Sequence, residues 1–267
     1  MNLFADTWSY LTDGSNWTGD GGLIDLALEQ LLLTIVALLI ALMIGLPIAL
    51  WLGHLGRGGF LAINISGVGR AVPTFAVLAL LVLWEPVGTD TLGPFGRAGL
   101  ATLIALALFA LPPIVTNAYV GVDETPRDVR EAADGMGMRG SQKFFRVELP
   151  LALPLVVAGI RLALVQVWAT ATIAALVAGP GLGNVITAGF FNGDYPRGLA
   201  GAVIVAAIAL ILELVSALAQ RAVQTRARPD TRGDRPRDTE GDAHEGSTDP
   251  GSGPGLDAGA GRRVVRQ

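Results

Sequence analysis

The sequence has no cysteine, and this absence excludes a disulfide framework, a thiolate metal site and a thiol nucleophile. Lysine occurs once, as Lys143, which lies between Gln142 and Phe144. A phosphate-binding P-loop needs a glycine-rich turn that ends in Lys followed by Ser or Thr, so the chain holds no such loop. We therefore do not expect this polypeptide to hydrolyse ATP or GTP itself.

Other residue sets that carry chemistry are also missing. The two histidines, His54 and His244, form no triad pattern with Ser and Asp, and no cluster of residues has the spacing of metal ligands. The formal net charge is −4, and there is no basic tract of the kind that binds nucleic acid. The sequence therefore predicts no enzyme, no cofactor, no metal site and no nucleic-acid partner.

Apolar residues are abundant and come in long runs. They make up 51% of the chain, and the mean hydropathy is +0.52. A membrane-spanning helix needs about 20 apolar residues. Arg161 interrupts one run, but the many Leu, Ile and Val residues around it outweigh the insertion cost of one arginine, about 3 kcal/mol. We predict an all-α integral membrane protein with five transmembrane helices, at 24–52, 60–84, 98–120, 150–178 and 199–221.

Basic residues are distributed unevenly between the predicted loops. The first 56 residues contain no Lys or Arg, whereas the loop at 121–149 and the segment after the last span are rich in them. Because basic residues favour the cytoplasmic side, we predict an N-terminus outside the cell and a cytoplasmic C-terminus. The same asymmetry argues against a cleaved signal peptide, whose first residues are positively charged.

Both ends of the chain differ in composition from the part between them. Residues 1–23 are polar and form a predicted extracytoplasmic segment, and residues 24–221 form the predicted transmembrane domain. Residues 222–267 mix Arg, Asp, Gly and Pro with very few apolar residues. Such a segment cannot bury enough apolar surface to offset the entropy of ordering, so we predict a disordered cytoplasmic tail.

The polar loop at 123–149 has the pattern of a short helix followed by a second one. Thr125 can cap the first helix, Pro126 suits its first position, and Gly135 and Gly137 can end it. Ser141 can cap the second helix. Four residues at i, i+3, i+4 and i+7 are predicted to share one face of the first helix: Val129, Ala132, Ala133 and Met136. So short a helix needs a packing partner, either its own membrane domain or another protein.

A specific spacing runs through this loop and into the next apolar segment. Glu-Ala-Ala is followed after three residues by Gly, after nine more by Val, and after one more by Leu-Pro. This spacing resembles the signature loop of type I ATP-binding cassette importer permeases. The resemblance implies that the loop docks a cytoplasmic ATPase subunit, which would carry out the hydrolysis. The residues implied in coupling are Glu131, Ala132, Ala133, Gly137, Leu149 and Pro150.

Further strings at 111–121, 147–161, 170–175 and 181–183 are similar to those of osmoprotectant permeases, which carry glycine betaine, carnitine or choline. Methionine and phosphonate permeases share some of these elements, so uptake of methionine, another amino acid or phosphonate is the alternative. The implied partners are a second permease subunit, identical or paralogous, and an extracytoplasmic solute-binding protein. The implied location is the bacterial plasma membrane. One departure is Arg70, where the family usually has a neutral Gln.

Several polar or proline residues inside the predicted spans are candidates for lining a pathway. Ionisable residues in a membrane are candidate functional sites, although arginines near a helix end can also reach the interface. At 1.5 Å per residue, Arg70, Arg161 and Glu213 lie at similar depths, so we predict that Glu213 pairs with one of the arginines. Pro73 marks a position where a helix is interrupted. The full set is Arg70, Pro73, Asn117, Arg161, Thr170, Thr172 and Glu213.

Two other classes of membrane protein remain as alternatives. A secondary transporter would need no ATPase, but an odd number of spans and a docking loop argue against it. A membrane anchor or assembly factor would need no pathway, and the charges inside the spans argue against that. The sequence therefore favours the permease subunit of an ATP-driven uptake system.

Overall fold

The computed structural model describes residues 2–60, 64, 67, 72–84, 87 and 98–227. All of these lie in the first of two units of the chain, Met1–Pro229. The described residues are largely helical, and no strand occurs among them. The helices are α1 (Leu3–Thr12), α2 (Leu23–His54), α3 (Thr74–Leu83), α4 (Gly99–Asp123), α5 (Arg127–Gly135), α6 (Gly140–Lys143), α7 (Leu149–Ala174), α8 (Gly183–Phe191) and α9 (Tyr195–Ala227).

Within these residues, four helical runs are long and apolar enough to cross a membrane: Leu23–His54, Gly99–Asp123, Gly140–Val177 and Tyr195–Thr225. The run that starts at Gly140 is longer than predicted, because α6 and a π-helical segment at Phe144–Glu148 continue directly into α7. These runs correspond to four of the five predicted spans. In the remaining one, at 60–84, α3 is a ten-residue apolar helix and much of the rest lies outside the described residues.

α4 is the central helix of the bundle, and 61% of the residues in its most apolar stretch are buried. Near its first turns it packs through Leu106 against Leu33 of α2 and Ala171 of α7. Near its last turn it packs through Val122 against the other end of α2 and the beginning of α7. α2 and α4 therefore run in the same direction, and α7 runs in the opposite one.

The two ends of the bundle are named here after the residues of α2 that lie there, His54 and Gln30. α2 finishes at the His54 end, whereas α4 begins at the Gln30 end. The end of α2 and the start of α4 therefore lie at opposite ends of the bundle, and residues 55–98 connect them in the sequence. Within this segment, Leu78 of α3 is fully buried against Ala105 and Phe109 of α4.

α9 lies on the outside of the bundle and runs antiparallel to α7. Trp168 of α7 donates a hydrogen bond from Nε1 to the carbonyl oxygen of Val205, at 3.1 Å, and Arg161 contacts Glu213 further along α9. Only 6% of the residues in the most apolar stretch of α9 are buried, and the side chain of Leu210 is 70% exposed. An apolar helix with so much exposed surface is typical of a protein surrounded by lipid.

The two predicted terminal segments are partly described. The segment at 1–23 contains α1 and a short 3-10 turn, and Trp17 donates from Nε1 to the carbonyl oxygen of Leu11 at 2.7 Å. The predicted tail begins at 222, but α9 continues to Ala227, so the first residues of that segment are helical. The remainder of the predicted tail, 228–267, lies outside the described residues.

Candidate coupling and pathway sites

The predicted docking loop contains the short helix α5, which lies between α4 and the third long helical run. It begins at Arg127 with Pro126 as its N-cap residue, one position later than predicted. The prediction of a Thr125 cap is wrong, since its buried hydroxyl makes no hydrogen bond to a backbone amide. The second helix begins at Gly140, and the amide of Arg139 donates to Oε1 of Gln142 at 3.0 Å. The predicted Ser141 cap is therefore also wrong.

The end of α5 depends on Gly137, as the sequence predicts. Gly137 has φ +74°, a left-handed conformation that side chains disfavour. Its amide donates to the carbonyl oxygen of Asp134 at 2.9 Å, and the amide of Met138 donates to that of Ala133 at 3.1 Å. These two bonds form a Schellman motif, which turns the chain sharply toward α6.

The exposed surface of α5 and the turn after it carries acidic, small and apolar side chains. Glu131 and Ala132 are exposed, and Met136 is 69% exposed. The predicted common face does not hold completely, because Ala133 is buried while Val129 is exposed with Met136. The reason is that the inward side of so short a helix is set by packing on its own membrane domain. α5 thus offers a partner a carboxylate beside small and apolar side chains.

The Leu-Pro pair lies at the start of α7. Leu149 is its first residue and is half-buried, and Pro150 occupies the next position, directly after the π-helical turn that leads into α7. An exposed ion pair links the two parts of the loop, with Lys143 Nζ of α6 at 2.8 Å from Oδ1 of Asp134 in α5. The six predicted coupling residues therefore occupy one continuous region at the His54 end.

A buried carboxylate that the sequence analysis missed lies beneath this loop. Glu148 is 1% exposed, and its Oε2 is 2.5 Å from Nδ1 of His54, the last residue of α2. Its Oε1 is 3.5 Å from Nε of Arg130 in α5. The guanidinium of Arg130 also donates to the carbonyl oxygens of Val122 and Asp123 at the end of α4. One signal was available in the sequence, an acidic residue immediately before an apolar span.

The predicted pairing of Glu213 with an arginine is confirmed for Arg161. The guanidinium of Arg161 in α7 donates two hydrogen bonds to Oε1 of Glu213 in α9, one of them from Nε at 3.0 Å. Its Nη1 donates to Oε1 of Gln220 at 2.9 Å. The two charged side chains are 33% and 39% exposed. Arg70, the other predicted partner, lies outside the described residues.

The remaining pathway candidates are dispersed. Pro73 precedes the first residue of α3 in an extended conformation, in agreement with the predicted interruption of a helix. Asn117 donates to the carbonyl oxygen of Pro113 at 2.8 Å, and Thr170 donates to that of Gln166 at 2.8 Å, so each satisfies its own helix. Thr172 donates to the carbonyl oxygen of Trp168 in its own helix at 3.3 Å, and it also accepts a hydrogen bond from Nε2 of Gln30 at 2.9 Å.

This last contact belongs to a polar cluster that the sequence analysis did not identify. Gln30 is fully buried, and its Oε1 accepts a hydrogen bond from the amide of Leu182 at 3.0 Å. Gly181 has φ +105°, and a Cβ there would lie 2.8 Å from that of Gln30. The amide of Gly181 donates to Oε2 of Glu29 at 3.2 Å, so Glu29 is not the fully solvated residue that its position suggests. The cluster joins α2 to the turn before α8.

Comparison with protein families gives a match over most of the transmembrane region. Residues 41–229 match the family described as binding-protein-dependent transport system inner membrane component. The chain is 34% identical over 197 residues to the osmoprotectant import permease protein OsmY of Salmonella typhimurium, covering 73% of this chain and 79% of that one. It is 28% identical over 208 residues to the glycine betaine/carnitine/choline transport system permease protein OpuCB of Bacillus subtilis, covering 77% and 90%.

Solved structures share the fold. A chain of the inward-facing MetNI methionine ABC transporter matches with a TM-score of 0.62 and 22% identity, covering 73% of this chain and 93% of that one. A chain of an amino acid ABC transporter solved with histidines matches with a TM-score of 0.60 and 19% identity, covering 84% and 97%. The family match and the apolar helices indicate a multi-pass protein of the bacterial inner membrane. The chain belongs to the family of binding-protein-dependent transport system inner membrane components.

Proposed function

We propose that this chain is the permease subunit of an ATP-driven importer for quaternary ammonium osmoprotectants such as glycine betaine, carnitine or choline. The observation that carries the proposal is the named function of relatives that match over 79–92% of their length at 28–34% identity. The fold neighbours include methionine and amino acid transporters, but at 19–22% identity they support only the architecture. Uptake of methionine, another amino acid or phosphonate is the second candidate.

ATP hydrolysis is assigned to a separate cytoplasmic subunit, because the chain contains no P-loop. We propose that this ATPase binds α5 and the turn that follows it. The exposed carboxylate of Glu131 offers a charge for an ion pair, and the small side chain of Ala132 allows close approach. Gly137 shapes the turn, and Leu149 with Pro150 joins the docking region to α7.

The course of the helices supports five spans. α2 and α4 are parallel and pack side by side, and the apolar helix α3 lies between them in the sequence, which favours α3 as part of a further span. The basic residues Arg130, Arg139 and Lys143 lie at the His54 end, which favours a cytoplasmic location for that end. The Gln30 end and residues 1–23 would then face outward, toward a solute-binding protein.

We infer that two such subunits, identical or paralogous, line one pathway across the bilayer. The ion pair of Arg161 with Glu213 is placed between α7 and α9, where it can hold the two helices together or release them during transport. Thr172, which is hydrogen-bonded to the buried Gln30, is the pathway candidate nearest the outward-facing end. Arg70, Pro73, Asn117 and Thr170 remain proposed pathway residues without a specific role.

The substrate is tested by uptake in cells. Deletion of the gene should abolish the import of labelled glycine betaine, choline or carnitine at high osmolarity, and the intact gene should restore it. The same strains are supplied with labelled methionine and a labelled phosphonate as controls. Loss of methionine or phosphonate uptake alone would contradict the osmoprotectant assignment and would leave the permease assignment in place.

A further inference from the structure

Three segments of the chain meet at the side chain of Glu148, and a fourth is joined to them by Arg130. The carboxylate itself belongs to the π-helical segment before α7, and it contacts the last residue of α2 and a residue of α5. Arg130 extends the contact to the last carbonyl groups of α4. The docking helix is therefore connected to the ends of three long helical runs, to α2 and α7 through Glu148 and to α4 through Arg130.

The burial of this carboxylate sets it apart from a surface ion pair. An ionised group removed from water keeps a large desolvation cost unless charges and hydrogen bonds compensate for it. Both oxygens of Glu148 have such partners, on two different elements. If α5 moved away from α2 and α7, the carboxylate would lose Arg130 and keep only His54, while still shielded from water. Rigid movement of all these elements together avoids that cost.

The local backbone is unusual at the same place. Phe144–Glu148 forms a π-helical turn between α6 and α7. Such turns are rare, and they occur frequently at functional sites because they reorient side chains within a helix. The ring of Phe144, at the start of this turn, packs edge-on against the ring of His54 with centroids 5.4 Å apart. The turn thus brings two of its residues, at its first and last positions, onto the end of α2.

We propose that Glu148 is a positioning residue that makes α5 and the His54 ends of the spans move as one body when the ATPases close. This proposal rests on the proposed docking of an ATPase at α5. Glu148 itself is buried and is not part of the exposed docking surface. Its role is to transmit the movement of the docked helix to α2, α4 and α7, so that hydrolysis changes the shape of the pathway.

The test uses the whole transporter, purified with its ATPase and solute-binding protein and reconstituted in liposomes. Glu148→Gln keeps the side-chain size and removes the charge, and Glu148→Ala removes the contacts. For both variants we expect ATPase co-purification to stay normal, while the number of ATP molecules hydrolysed per solute imported rises. The rise expected for Glu148→Ala is about tenfold, within the range of coupling between distant sites. Glu240→Gln, which neutralises a carboxylate of the predicted cytoplasmic tail, should leave the ratio unchanged.

Two further variants keep the test decisive if Glu148→Ala does not insert into the membrane. His54→Ala and Arg130→Ala each remove one partner of the same carboxylate and should each raise the ratio. Combined with Glu148→Gln, His54→Ala should not raise it much further, because both act through the same contact, whereas Arg130→Ala also removes the hydrogen bonds to α4. Strictly additive effects, or an unchanged ratio in all single variants, would overturn the proposal.

The outcome also separates this proposal from the docking assignment. Loss of ATPase co-purification in the Glu148 variants would overturn the positioning role, since the carboxylate would then serve docking itself. Glu131→Ala, on the exposed surface of α5, is expected to weaken co-purification directly. Normal co-purification and normal uptake with Glu131→Ala would contradict the docking assignment without bearing on the contacts of Glu148.

Discussion

Two charged clusters join helices of this protein, and they differ in burial and in what they connect. Glu148 is 1% exposed and connects a short polar helix to the ends of several spans. Glu213 is 39% exposed and connects only α7 with α9. Both are carboxylates paired with an arginine, so residue type alone does not distinguish them. Their surroundings do.

The difference bears on what each cluster can do. A half-exposed pair can exchange its partner for water or a lipid headgroup, so it can open at low cost during a conformational change. A fully buried carboxylate has no such replacement, and its contacts persist unless the surrounding helices separate. We therefore expect the Glu148 cluster to hold during transport and the Arg161–Glu213 pair to be the one that can open.

The largest expected effect is the loss of stability when each carboxylate is replaced by leucine. Glu148→Leu strands Arg130 and His54 beside an apolar side chain, and we expect it to cost about 3 kcal/mol of the free energy of unfolding. Glu213 is partly exposed, so Glu213→Leu should cost no more than about 1 kcal/mol of the free energy of unfolding. Unfolding of the purified protein in detergent, followed by loss of helical circular dichroism, measures both. Equal losses would mean that burial does not separate the two clusters.

A smaller effect is expected at the two glycines that end α5. Gly137 has a positive φ, so Gly137→Ala should destabilise the turn by about 1 kcal/mol and weaken ATPase co-purification. Gly135 is the last residue of α5, and no atom would crowd an added Cβ there. Gly135→Ala is therefore the matched control and should leave co-purification intact. Equal weakening by both variants would indicate contact with the ATPase rather than backbone conformation.

Much of the fold follows from the sequence because hydrophobic length is a local signal. Four long helical runs and the short helix α5 lie close to their predicted positions, and Gly137 ends α5 as its residue type requires. The pairing of Arg161 with Glu213 could also be predicted, because rise per residue converts sequence position into depth. Opposite charges at equal depth in a membrane tend to pair, because each lowers the cost of burying the other.

The missed features depend on contacts between segments that are distant in the chain. The position of Glu148 immediately before an apolar span is a local signal, but its burial is set by α2 and α5 rather than by its neighbours in sequence. Gln30 and Gly181 lie far apart in sequence, and only the approach of α2 to the turn before α8 brings them together. The prediction of a Thr125 cap was wrong for a related reason. Tertiary packing buries the Thr125 hydroxyl, and it does not bond to the first amides of α5.

The smallest expected effect concerns the Arg161–Glu213 pair itself. Single replacement of either residue by alanine should lower the thermal stability of the purified protein, and the double replacement should lower it by less than the sum. We expect an interaction energy of about 0.5–1 kcal/mol, because both side chains are partly exposed. Gln220→Ala serves as the control, since it removes the neutral partner of Arg161 and leaves the ion pair in place. Strict additivity would mean that the two charges merely reach the interface separately, and the proposal that this pair opens during transport would lose its basis.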